Sequence, residues 1–192
     1  MLKLVRALCL TACSLGSLTA WAAPDVWVGG VAPTPDPIFA TSSGVLEAYY
    51  TAAMPGGLTV LVGVSVNGVD LPTLGLNNHA SAYGDMLQLG SVNAGDKLEF
   101  FIQVVDGARY YTNPARNPDS FNHAWVSTYA GDIKVPAGTN IAFEDLSGGG
   151  DLNYRDHGIT FRIAGAVPEP ASALMMLLGV AGIAGLRRSK RR

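Results

Sequence analysis

LTVLVGVSV, residues 58–66, sets an apolar side chain at every second position, and KLEFFIQVV, residues 97–105, repeats the pattern. A period of two belongs to a strand with one face toward a core, because successive Cβ atoms point to opposite sides of a sheet. Outward from these two runs lie more short β-rich segments: GVLEAYYTA, DMLQLGSV, ARYYT, HAWVSTYA, NIAFEDL and GITFRIA. Turn signals separate them, among them VNGVD at 66–70 and NAGD at 93–96, where glycine supplies a positive φ. No ten-residue stretch of this region has helical periodicity. The pattern predicts an all-β fold, a single β-sandwich of roughly eight strands, jelly-roll-like, over residues 44–166. Residues 23–43 carry four prolines and little periodicity, and they read as an irregular leader.

The chain has 192 residues, 48% of them hydrophobic, and a formal charge of −2. Basic residues gather at the two ends. Residues 23–166 hold six Lys/Arg against fourteen Asp/Glu, a net of −8. A domain this acidic excludes nucleic acid as a partner, since phosphate neutralisation needs a basic face. Acidic oxygens favour divalent cations instead.

Residues 1–22 combine a basic start (Lys3, Arg6), an apolar stretch and the small-residue pattern Ala20-Trp21-Ala22, which together read as a secretory signal peptide cut after Ala22. LTAC, residues 10–13, offers a competing lipoprotein box with Cys13 as the lipidated residue, but only three residues separate it from Arg6. Cys9 and Cys13 both lie within the signal, so cleavage after Ala22 leaves a mature chain without a disulfide.

At the other end, Val167, Pro168, Glu169 and Pro170 precede 16 uncharged residues, Ala171 to Leu186, and the basic tail Arg187, Arg188, Lys190, Arg191 and Arg192. As a helix the uncharged run spans about 24 Å, short for a hydrocarbon core of roughly 30 Å. It suffices to stop transfer as a short transmembrane helix, with the basic tail kept in the cytoplasm and the acidic domain outside. The two prolines hold Glu169 on a stiff, extended peptide at the membrane surface. The order VPEP, short apolar helix, Arg-rich end resembles the PEP-CTERM sorting signal of Gram-negative bacteria, over residues 167–192. That resemblance implies an exosortase-type membrane protease as partner, an inner-membrane-anchored intermediate, and delivery to the cell surface, the extracellular space or the exopolysaccharide matrix.

The densest run of oxygen ligands is FEDLSGGGDLNYRDHGITF, residues 143–161. Glu144, Asp145, Asp151, Asn153 and Asp156 can offer oxygens, and three consecutive glycines let the backbone fold tightly around a cation. Calcium accepts six to eight oxygens at variable angles and suits such a loop better than magnesium does. The spacing is not that of an EF-hand, for Asp156 falls where the invariant glycine belongs and Arg162 where the bidentate glutamate belongs. A solvated acidic turn, with Asp and Asn capping their own backbone, fits the composition equally well. Asn117, Asp119 and Asn122 in RNPDSFNHA add ligands if that loop folds against the glycines. The stretch also resembles a domain of unknown function recurrent in secreted bacterial proteins, through Phe143, Glu144, Asp145, Gly150, Asp151, Tyr154 and Asp156. Asn153 and Arg155 depart from its pattern of Asp and Asn, and His157 stands where an apolar residue is usual. The resemblance implies a β-sandwich with bound calcium.

His79, His123 and His157 lack partners at zinc-ligand spacing and read as structural or exposed. No nucleophile elbow, zincin helix, phosphate loop or nucleotide fingerprint occurs, so the chain reads as no enzyme. Trp27, Trp125, Tyr49-Tyr50 and Tyr110-Tyr111 could stack on sugar rings, though such residues more often pack a core. The expectation is an exported surface protein with a calcium-stabilised sandwich and a structural or adhesive role in a biofilm matrix. A carbohydrate-binding module is the alternative, and a secreted hydrolase comes third.

Overall fold

The computed structural model describes residues 23–52 and 56–165. Among the described residues ten strands form in chain order: β1 (Ile38–Phe39), β2 (Gly44–Tyr50), β3 (Val60–Val66), β4 (Val69–Asp70), β5 (Met86–Val92), β6 (Lys97–Val104), β7 (Arg109–Tyr111), β8 (Ala124–Tyr129), β9 (Gly138–Phe143) and β10 (His157–Gly165). They make two antiparallel sheets. One has the order β1-β6-β3-β4, with β7 also pairing β6, and the other runs β5-β2-β10-β9-β8. All-β and two-layered architecture is as the alternation predicted.

A jelly roll carries successive strands from one sheet to the other, and the chain changes sheet from β1 to β2, β2 to β3, β4 to β5, β5 to β6 and β7 to β8, whereas β8, β9 and β10 follow one another as a meander inside one sheet. The connections from β8 to β9 and from β9 to β10 each return to the neighbouring antiparallel position, so no crossing is needed.

The two alternating stretches lie side by side in the first sheet and turn their apolar faces toward the second, as expected. Val60, Val62 and Val64 of β3 and Leu98, Phe100, Ile102 and Val104 of β6 are buried, packed against Leu46, Ala48, Ile141, Phe143, Ile159 and Phe161 of the second sheet. The rings of Phe100 and Phe161 meet across the layers at 4.3 Å between centroids. Burial of each such side chain stabilises the fold by about 1.5–3 kcal/mol. The other face of β6 is less polar than alternation implies. Phe101 is fully buried there, beneath the Arg109 guanidinium at 4.2 Å and against Tyr111 at 5.1 Å.

Residues 23–37 have no regular structure, yet they form a strap. Asn140 Nδ2 donates to Asp25 O (3.4 Å), Gly29 N to Leu152 O (3.0 Å), and Asn122 Nδ2 to Ala32 O (2.9 Å), all on the outside of the second sheet. β1 then joins β6 in the first sheet. The leader read from proline content therefore ties both layers together. β10 runs from His157, beside the acidic loop, to Gly165, which pairs with Gly44. Nine residues of strand set these two poles about 26 Å apart.

Candidate metal centre

The acidic loop starts where β9 ends. Glu144 N donates to His123 O (3.0 Å), and the loop closes when Asp156 N donates to Phe143 O (3.1 Å). Between these points Gly148, Gly149 and Gly150 take φ of 70°, 86° and 45°, a region that disfavours any side chain. A Cβ on Gly150 would stand 2.6 Å from Leu146 Cβ and 2.8 Å from Glu144 Oε1. Leu152 and Tyr154 also hold positive φ. Tyr154, fully buried, pins the loop from beneath: its hydroxyl donates to Asn122 O (2.7 Å) and accepts from Ala32 N (3.1 Å).

Of the five residues read as cation ligands, the fold brings three together. Glu144, Asp145 and Asp156 are buried, and one ligand oxygen from each lies within 4.8 Å of the others. Glu144 Oε1 accepts from Leu146 N (3.0 Å) and Oε2 from Asn153 N (3.3 Å), while Asp156 Oδ2 accepts from Asp145 N (3.2 Å). Asp145 Oδ2 is buried with no hydrogen-bond partner among the described residues. Burial first, and the charge of Asp156 next, push the Asp145 carboxyl up to about 7. The Glu144 carboxyl also rises to about 7, chiefly through burial, although Leu146 N opposes the shift. Asp156 rises for the same leading reason.

The Asp151 carboxylate lies outside the triad, and the Asn153 side chain is engaged with its neighbours. They bond to each other (Asn153 Nδ2 to Asp151 Oδ2, 2.6 Å), and Asn153 Oδ1 accepts from Arg155 N (2.9 Å). Both line a cavity of about 530 Å³ together with Gly56, Gly57, Leu58, Asp145, Leu146, Arg155 and Asp156. Asp119 folds against the glycine loop as a holder, while Asn117 braces its own loop. Asn117 Oδ1 accepts from Tyr111 N (2.6 Å), and its amide donates to Phe121 O (2.8 Å). Asp119 accepts from Gly148 N (2.8 Å), Phe121 N (3.0 Å) and His123 Nε2 (2.9 Å). Burial would raise its carboxyl, but these bonds outweigh it and hold the group well below the usual range.

Sequence reading missed His123 and Gly56 as parts of the site. His123 is fully buried, stacks on Tyr110 at 3.8 Å, and links Asp119 to Glu144 O (2.9 Å). Its position four residues after Asp119 was the available signal. Gly56 arrives from a distant part of the chain, and a Cβ there would collide with the Asp156 carboxylate. His157 is structural as expected: it donates to Leu76 O from the core, and burial lowers its pKa to about 4, so the ring is neutral. The tyrosine pairs do not form a sugar platform, because Tyr50, Tyr110 and Tyr111 are buried. Trp27 and Trp125 lie 6.2 Å apart, tilted by 43°.

The triad's donors fit a hard divalent cation. Three carboxylates offer up to six oxygens, the softer ligands of zinc sites are absent from the cluster, and the unpartnered Asp145 oxygen has the polarity to face a cation.

Comparison with curated proteins and with solved structures finds no match. A family model matches residues 166–192, and its description is the PEP-CTERM protein-sorting motif. The chain carries a PEP-CTERM sorting motif. The motif begins directly after Gly165, the last residue of β10. A PEP-CTERM signal marks an exported substrate, with an exosortase as its processing partner and a membrane-anchored intermediate on the way to the cell surface. The signal peptide, Val167 to Pro170, the apolar run and the basic tail fall outside the described residues. No helix among the described residues is long and apolar enough to cross a membrane.

Proposed function

We propose that this PEP-CTERM protein is a surface or matrix component whose β-sandwich is stabilised by calcium at Glu144, Asp145 and Asp156, with a structural or adhesive role in exopolysaccharide and no catalysis of its own. The observation that carries the reading is the buried Asp145 oxygen without a donor, set among two further buried carboxylates. Bound calcium would supply two positive charges where three negative groups converge. The chain's own part is to fix the carboxylates: Leu146 N and Asn153 N orient Glu144, Asp145 N orients Asp156, and Asp119 clamps Gly148.

The test is thermal melting of the full-length protein in detergent, with chelator and then with millimolar calcium. The expected result is a Tm rise with calcium, since a ligand at 100 times its Kd adds about 2.7 kcal/mol. An unchanged Tm would overturn the calcium assignment. Export and processing are tested separately by changing Pro168-Glu169-Pro170 to alanines. The expected outcome is an unprocessed, membrane-retained chain, read by mass spectrometry of both mature ends.

A further inference from the structure

We infer that the cavity beside the carboxylate triad binds a neutral saccharide. Its volume of about 530 Å³ falls within the roughly 300–1,000 Å³ typical of small-molecule sites. One wall is Gly56 and Gly57, which contribute only backbone, and a side chain at Gly56 would run into Asp156. The wall is thus kept bare where the chain passes closest to the acids.

The remaining lining divides into polar and apolar parts. Asp151, Asn153 and Arg155 present a carboxylate, an amide and a guanidinium; the Asn153 amide is held by Asp151 Oδ2 on one side and by the Arg155 backbone N on the other, which leaves the guanidinium itself outside that link. Among the described residues, Lys97, Arg109, Arg116 and Arg162 are in ion pairs and Arg155 and Lys134 are not, and of these two only Arg155 lines the cavity. Adjacent hydroxyls of a sugar can donate to the carboxylate and accept from the guanidinium and the amide. Leu58 and Leu146, 37% and 43% exposed, flank the opening and offer contact to the C–H face of a pyranose ring.

Charge selects the class of sugar. Without the cation, Asp145, Asp151 and Asp156 line the cavity against the single cationic group Arg155, so a uronate would meet net repulsion and a neutral hexose would not. A bound divalent ion would offset that repulsion, which is why the acidic comparator is titrated with and without calcium. The location agrees with a ligand from outside, because the cavity lies at the pole opposite Gly165, where the membrane-bound tail departs.

The inference deepens the adhesive role proposed above and rests on it, but it does not require the cation. The probes are maltohexaose, cellohexaose and mannohexaose, with oligogalacturonate as acidic comparator, titrated calorimetrically into the full-length protein in detergent with and without calcium. At least one neutral hexaose is expected to bind, with affinity lowered tenfold or more in Arg155→Ala and in Asn153→Ala. Circular dichroism and the wild-type melting profile confirm that these half-exposed variants fold. Failure of all three neutral sugars under both conditions overturns the inference, as does binding of oligogalacturonate alone. Binding undiminished in both variants but lost in Trp27→Ala moves the site to the Trp27–Trp125 pair and also overturns it. A calcium-induced Tm rise without saccharide binding leaves the cation assignment standing, and saccharide binding without that rise does the reverse.

Discussion

Asp145 carries the sharpest consequence at the scale of a single residue. A buried carboxylate oxygen without a donor costs stability, and neighbouring Asp156 adds repulsion. Asp145→Asn removes that charge. In chelator at pH 7 the variant is expected to melt about 4 °C higher, equivalent to about 1 kcal/mol in a chain of this size, and to lose the calcium-induced rise. A calcium response equal to wild type would count against the assigned ligand. Tyr154→Phe acts oppositely: Ala32 N loses its acceptor and Asn122 O a donor, at a cost of about 1–3 kcal/mol in a chemical melt. Three of the five ligand candidates were legible because Glu144, Asp145 and Asp156 bracket a glycine loop between two apolar strands. Asp151 and Asn153 were not separable from them, since side chains two apart can satisfy each other, and only the folded loop shows that they do.

At the scale of elements, β3 and β6 were readable since alternation and burial coincide there. Phe100→Ala is expected to destabilise by about 3–5 kcal/mol in urea unfolding, for it empties the contact with Phe161 at the centre of both layers. Phe101, one position on, was not readable as buried. Its cover comes from Arg109 and Tyr111 of a strand hydrogen-bonded to β6, which no local period announces. The strap was hidden for a related reason: proline content describes the missing hydrogen-bond ladder, while Ala32 and Gly29 are held by Tyr154 and Leu152, more than a hundred residues later. The β8-β9-β10 meander was not readable either, because strand pattern fixes faces and leaves the order of strands in a sheet to the connections.

For the whole molecule, two groups of acids pull stability in opposite directions with pH. Without a cation, Glu144 and Asp145 have folded pKa values of about 7, above their ordinary 4.5 and 3.8, so the native state binds more protons across that window. Stability therefore falls as pH rises from about 4 to about 7. Glu99 behaves oppositely. Burial opposes the shift, but bonds from Lys97, Arg116 and Asn113 bring its pKa down to about 2. Its contribution is present above 4.5 and lost as pH falls toward 2. In chelator the Tm is expected to peak near pH 4–5 and decline toward pH 8, and calcium is expected to flatten the decline. A chelated protein whose Tm climbs steadily from pH 5 to 8 would contradict the raised carboxyls.

β10 occupies the middle of its sheet, with β2 on one flank over seven pairs and β9 on the other over five. While the tail is held in the membrane, any drag on the body enters through Gly165, along the axis of that strand. The load then falls as shear on both ladders at once, and no edge is offered for hydrogen bonds to unzip one by one. A body fastened in this way resists such a pull better than one tied through an edge strand.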